Sequence, residues 1–147
     1  MISYSTDVGN VREDQLTGFF VGWPSPPSSA QHLAVLAGSY RAVVAREDDG
    51  RVVGFVTLIS DGVLTAFVPW LEVLPAYQGR GVGLELVRRV LEGTEGLYSV
   101  DLLCDEALQP FYRRLGFVPV PGMGWRNPAA NHGRGLPDDE GVSGPRG

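Results

Sequence analysis

The stretch of this 147-residue chain with the most chemical potential is Leu71-Glu72-Val73-Leu74-Pro75-Ala76-Tyr77-Gln78-Gly79-Arg80-Gly81-Val82-Gly83, which reads as a strand, a turn and a glycine-rich helix start. Gly79, Gly81 and Gly83 carry no side chains, so backbone N–H groups there can approach a ligand closely. The first turn of a helix adds free amide donors and the positive end of its dipole, an arrangement that suits a pyrophosphate. Gln78 offers a neutral donor and Arg80 a charge. Two phosphate-binding patterns are excluded by residue type. The Walker loop ends in Gly-Lys-Ser or Gly-Lys-Thr and this loop has no lysine; the dinucleotide fingerprint needs a third glycine where Leu86 stands. An ordinary strand-to-helix turn accounts for the same glycines.

Other reactive side chains read as structural. Cys104 lies near the end of an apolar run and is expected to be a small buried hydrophobe, since neither His32 nor His132 is placed beside it by any motif. His32 is expected on an exposed helix face.

These residues need elements to position them. Residues 2–6 predict a first strand, and 11–20 carry apolar residues at helical spacing with acidic residues near the start. Trp23-Pro24-Ser25-Pro26-Pro27 ends that helix, and Ser28 or Ser29 caps a second one over 30–36, closed by Gly38. Residues 40–46 and 51–60 form a hairpin about Glu47-Asp48-Asp49-Gly50. A third β run, 64–74, contains Pro69, which predicts a bulge or a break in its ladder. Over 81–91, Val82, Leu86, Val87 and Val90 share one helical face, with Arg88 and Arg89 near the C-terminal end. A strand at 97–104, a short helix at 108–115 and a last strand at 117–120 follow. The order is β-α-α-β-β-β-α-β-α-β, an α/β sandwich around one mixed central sheet.

At this point the chain resembles a known family. Gln78-Gly79-Arg80-Gly81-Val82-Gly83 matches the Gln/Arg-x-x-Gly-x-Gly/Ala loop of the GCN5-related N-acetyltransferases (GNAT). Pro110-Phe111-Tyr112-Arg113-Arg114-Leu115-Gly116-Phe117 is similar to that family's terminal motif, in which a helical tyrosine precedes a Gly-Phe entering the next strand. The element order is also the family's. The resemblance covers about residues 1–120 and implies an acetyltransferase domain over 1–121. The remainder, 122–147, is a Gly/Pro-rich extension whose Met123 and Trp125 are expected to close over the site and which is expected to be disordered from about 131.

The resemblance implies that Gln78, Gly79, Arg80, Gly81, Val82 and Gly83 hold the pyrophosphate of acetyl-CoA, while backbone groups of Val73 and Leu74 pair with its pantetheine arm. It implies direct acetyl transfer to a primary amine within a ternary complex, with strand-four amides polarising the carbonyl and Tyr112 protonating the departing thiolate. Where several family members carry Glu or His on that strand, this chain has Phe67 and Pro69. Glu72 is then the nearest carboxylate for a general base, with Asp101 or a chain of waters as alternatives. The family's asparagine before the tyrosine is also missing; Asp105, Glu106 and Gln109 stand in that region. Acceptor choice falls to Phe20, Trp23 and Trp70, whose apolar faces suit an arylalkylamine or a polyamine. An aminoglycoside or a protein amine is the alternative acceptor, and an acyl-CoA sensor without turnover is the rival reading.

Composition sets the outer bounds. Twelve Lys and Arg against seventeen Asp and Glu give a net charge of -5, the wrong sign for binding a phosphate backbone. One cysteine makes no internal disulfide, and with two histidines it makes no typical structural zinc site. The start carries neither a basic leader nor a long apolar run, and no segment reaches the roughly 20 apolar residues of a membrane span. The expectation is a cytoplasmic, metal-free monomer or homodimer whose partners are acetyl-CoA and a small amine, with no nucleic acid and no membrane.

Overall fold

The computed structural model describes residues 1–130, 132 and 133. Six strands build one sheet: β1 (Ser3–Ser5), β2 (Arg41–Arg46), β3 (Val52–Ser60), β4 (Thr65–Phe67), β5 (Leu71–Val73) and β6 (Ser99–Asp101). The helices are α1 (Ser29–Gly38), α2 (Val82–Val90) and α3 (Gln109–Arg113). The path through the sheet is β1-β2-β3-β4-β6, with β5 pairing to β3, and every pairing is antiparallel except β4 with β6. The sheet is therefore mixed, and the architecture is the α/β sandwich that the sequence implies.

β3 organises the fold because it is apolar on both faces. Val52, Val53, Phe55, Val56, Thr57 and Leu58 are all fully buried. On one face α2 lies directly on the strand. A Cβ on Gly54 would meet Leu86 Cδ1 at 3.0 Å, so only glycine admits the helix this closely. On the other face Phe55 packs against His32 of α1, ring centroids 4.3 Å apart. α1 starts where serine chemistry predicts: Ser28 is the N-cap, and its side chain and that of Gln31 form a reciprocal capping box.

The run 64–74 forms two strands, and the register shows why. Ile59 pairs with Phe67 and Val56 with Leu71, so three residues, 68–70, oppose only two on β3. One residue is extra, which defines a β-bulge. Thr57 N–H donates to Trp70 O at 3.0 Å, which leaves Pro69, a residue without an N–H, inside the irregularity. The last bond tying this chain segment to β6 is Val68 N–H to Asp101 O, at 2.9 Å. Beyond it β5 pairs with β3 alone among the described residues, and its other edge is open there.

Three sequence expectations are corrected. Residues 11–20 form no α-helix but a single 3₁₀ turn, Glu13–Gln15, followed by irregular chain. Gly18 (φ +88°), Phe20 (φ +59°) and Gly22 (φ +79°) leave helical space, and the apolar spacing reflects burial of Val11, Leu16, Phe19 and Phe20 under the sheet. Residues 117–120 form no strand, because Pro119 and Pro121 interrupt any ladder and Val118 and Val120 stay exposed. The strand expected over 97–104 is only β6. The expected disorder from about 131 lies outside the described residues, except at His132 and Gly133. Among the described residues no helix is long and apolar enough to cross a membrane.

Candidate functional site

Between β5 and α2 the chain makes a 3₁₀ turn, Pro75–Tyr77, and then the glycine loop. Gly79 and Gly81 take φ of +76° and +81°, a region that a Cβ disfavours, and Gly81 is the N-cap of α2. Glu85 N–H donates to Gly81 O at 3.1 Å, which closes the first helical bond. The amides from Gly79 to Leu84 have no partner among the described residues. Six consecutive unpartnered amides and a helix N-terminus thus lie together, exposed at Gly79, Arg80 and Gly81. Arg80 lies with its guanidinium carbon 5.3 Å from the Tyr77 ring centroid, which keeps a cation beside the loop. Gln78 turns the other way, donating from Nε2 to Val73 O at 3.0 Å. The buried Val82 side chain anchors the loop to the core.

The open edge of β5 adjoins this loop. Trp70 O and Leu74 N–H both bond to β3, so alternation points the backbone groups of Leu71 and Val73 toward the open side. Val73 N–H is therefore free for a ligand, and Val73 O is engaged by Gln78. Leu74 differs: its N–H donates to Val53 O at 2.9 Å and its O accepts from Tyr77 N–H at 2.8 Å. Both of its backbone groups are occupied, so the edge donor is Val73 rather than the pair. α3 closes the same corner. A Cβ on Gly83 would sit 3.6 Å from Phe111 Cζ and 3.7 Å from Val73 Cγ2, placing Phe111 against both the loop and the edge. Sequence reasoning singled out only Tyr112 in that helix, although Phe111 is its neighbour in the same motif.

Tyr112 is 8% exposed, edge-on to Phe111 and Phe117 with centroids 4.9 and 5.8 Å away. Burial, with a smaller contribution from Cys104, pushes its phenol up to about 12. The hydroxyl therefore carries its proton throughout the physiological range. Tyr112 also lines a groove of about 500 Å³ behind β6, together with Asp101, Cys104, Val118 and Val120. That groove does not reach the glycine loop. Burial and then Asp105 push the Cys104 thiol up, which keeps it a thiol and a poor nucleophile. Asp101 is exposed on β6, its backbone is paired with β4, and its carboxylate makes no hydrogen bond among the described residues.

The opposite face of the sheet carries the aromatic residues. Phe20 lies edge-on to Trp23 at 5.1 Å and to Trp70 at 6.2 Å, and the two indoles are 5.5 Å apart. Glu72, expected as a base, has its carboxylate engaged: Phe20 N–H donates to Oε1 at 2.8 Å and Oε2 at 2.9 Å, and Val21 N–H donates to Oε1 at 3.3 Å. That arrangement favours holding a loop over removing a proton.

His32 corrects another expectation. It is 1% exposed, ringed by Phe19, Phe20 and Phe55 at 5.2, 5.1 and 4.3 Å, and burial lowers its pKa from 6.5 to about 4. Its spacing of four from the buried Leu36 is the signal that places it inside. His32 Nε2 and Thr57 Oγ1 are both buried without a hydrogen-bond partner. Met123 and Trp125 are exposed and pack over no part of the site among the described residues. Instead His132 reaches back to Ser25, whose N–H donates to His132 O at 3.1 Å, and a Cβ on Gly133 would lie 3.1 Å from Trp23. Among the described residues no cluster of His, Cys, Asp and Glu is placed to hold a metal.

A strand with an open edge, β5, beside a glycine loop feeding a helix N-terminus, makes a candidate anion site on an α/β sandwich. The Acetyltransferase (GNAT) family profile matches residues 8–117, and the chain belongs to that family. A proposed acetyltransferase from Deinococcus radiodurans R1 is 41% identical, covers 92% of this chain and 94% of its own, and superposes with a TM-score of 0.86. GCN5-related N-acetyltransferase 1, chloroplastic, of Arabidopsis thaliana is 30% identical over 112 residues, 74% of this chain and 57% of its own length. Histone acetyltransferase TAP1 of Glycine max is 32% identical over 123 residues, 71% of this chain and 52% of its own. The chain thus spans between half and three fifths of these two curated relatives.

Proposed function

We propose that the protein is an acetyl-CoA-dependent N-acetyltransferase acting on a primary amine of a small molecule. The observation that carries this reading is the run of six unpartnered amides, Gly79 to Leu84, set beside the open edge of β5. Neutral oriented donors at a helix N-terminus suit a pyrophosphate, and an open strand edge suits the amide-bearing pantetheine arm that follows it. The absence of side chains at Gly79 and Gly81, with open space where each Cβ would be, fits such a group.

In this reading acetyl-CoA is the donor substrate. The neutral amine attacks the thioester carbonyl, whose oxygen gains charge and is stabilised by the Val73 N–H on the open edge. The C–N bond forms, the C–S bond breaks, and the sulfur leaves with the bonding pair. Tyr112, held protonated by its burial, gives that sulfur a proton. The amine's proton leaves to water, because the Glu72 carboxylate is occupied by Phe20 and Val21, and water returns a proton to the Tyr112 phenolate. Phe20, Trp23 and Trp70 bound the acceptor side and suit an arylalkylamine or polyamine.

Release of free thiol from acetyl-CoA over a panel of primary amines tests the reading. Release with one amine class and not with the buffer alone is the expected result. Binding of acetyl-CoA without release from any amine would instead identify a sensor.

A further inference from the structure

Phe20 is the one non-glycine residue at positive φ among the described residues, at +59°. For a bulky side chain that conformation is strained and persists only where the surroundings impose it. The imposing contact is plain: both oxygens of Glu72, one β-strand away in space and 52 residues away in sequence, accept the Phe20 N–H, and Val21 N–H shares one of them. Glu72 is aimed there by the register, since it pairs with Phe55, whose ring lies 6.0 Å from that of Phe20. In the held conformation the Phe20 ring is edge-on to both Trp23 and Trp70 and covers His32. One carboxylate therefore holds the backbone of the residue whose ring meets both indoles. Trp70 is also the residue that follows the bulge at Pro69, so this wall stands where β5 turns away from β6.

We propose that Glu72 is a positioning residue of the acceptor site: it clamps Phe20 in its strained conformation, so that Phe20, Trp23 and Trp70 form a preset wall for the aromatic body of an arylalkylamine. The inference deepens the reading of the protein as an amine acetyltransferase and rests on it. Glu72→Gln is a sharp probe because it keeps the volume while replacing one accepting oxygen by an amide NH₂, which faces a backbone N–H and cannot accept from it. Phe20→Gly is its partner, because glycine occupies positive φ without strain and leaves no ring to hold.

The experiment titrates 2-phenylethylamine into protein saturated with CoA and follows tryptophan fluorescence, for wild type, Glu72→Gln, Phe20→Gly and the double variant. The expected result is about tenfold weaker amine binding in Glu72→Gln, the loss of one charge-assisted hydrogen bond, and no further weakening when the same change is made in Phe20→Gly. For the best acceptor of the panel, kcat and the acidic limb of its pH profile stay as in wild type while KM rises. Loss of that limb with a fall of roughly 10²–10⁴ in kcat would make Glu72 a general base and overturn the inference. Equal amine binding by wild type and Glu72→Gln overturns it too, as does a wild type that binds CoA and ignores the amine; both leave the donor site standing. If Glu72→Gln fails to bind CoA, restoration of binding by the added Phe20→Gly supports the clamp and failure to restore contradicts it. A wild type whose melting temperature CoA leaves unchanged overturns the clamp and the transferase reading together.

Discussion

Tyr112 keeps its proton because its ring is packed between Phe111 and Phe117 and burial disfavours the charged phenolate. The hydroxyl is therefore in its neutral, proton-bearing form over the working pH range. Tyr112→Phe removes one oxygen from a packed site, so we expect kcat to fall by roughly 10²–10⁴ while acetyl-CoA affinity and melting temperature stay near wild type. Steady-state kinetics beside a thermal melt checks this. His32 makes a second residue-scale case. Its native pKa of about 4 lies below the ordinary 6.5, so the unfolded chain binds more protons between those values. The neutral ring's contribution is full above pH 6.5 and is lost as the pH falls from 6.5 through 4. At 1.36 kcal/mol per pKa unit the span is on the order of 3 kcal/mol. His32→Leu should remove this acid sensitivity, read as a flatter stability-against-pH curve over that window; an unchanged slope would place the sensitivity elsewhere.

At the scale of elements, α2 links the core to the glycine loop. Leu86, Val87 and Val90 are fully buried against the sheet, while Glu85 pairs with Arg88 at 3.2 Å and Arg89 at 2.8 Å on the other side. Leu86→Ala should cost about 2–5 kcal/mol by chemical denaturation, since it opens a cavity on β3. Gly81→Ala differs in kind: nothing blocks the methyl, but the left-handed N-cap costs roughly 1–2 kcal/mol and the amides lose their aim, so acetyl-CoA binding should weaken more than Leu86→Ala weakens it. Calorimetric titration of both variants separates the two effects. These elements were legible because their signals are local: a glycine loop, an apolar face of period 3.6, a proline inside a strand. What was not legible depends on contacts far apart in sequence. Nothing near Glu72 says that its carboxylate meets the amides of Phe20 and Val21. The apolar spacing of 11–20 and of 117–120 reports burial or β preference, and the conformation is decided instead by Gly18, Phe20 and Gly22 in one segment and by Pro119 and Pro121 in the other. His32 is polar by type yet buried, and its spacing of four from Leu36 is the local signal of that.

Over the whole molecule the proposed function divides the sheet between two tasks. In that proposal α2, α3 and the open edge of β5 gather the donor side, and the loop 18–23 with Trp70 gathers the acceptor side, the two meeting where the bulge at Pro69 turns β5 from β6. The chain carries a net charge of -5, so long-range attraction does not bring an anionic donor to it. Binding through short-range amides should then depend weakly on salt. We expect the acetyl-CoA Kd to stay within about threefold between roughly 0.01 and 0.15 M salt, where the screening length falls from about 30 to 8 Å. The measurement that bears most directly on the central claim is thermal stability with and without excess acetyl-CoA, with ATP at the same concentration beside it. At about 100 times Kd, acetyl-CoA should add about 2.7 kcal/mol, a rise of several degrees, and ATP should add little. No rise with saturating acetyl-CoA, or an equal rise with ATP, would contradict the assignment of Gly79 to Leu84 as the donor site.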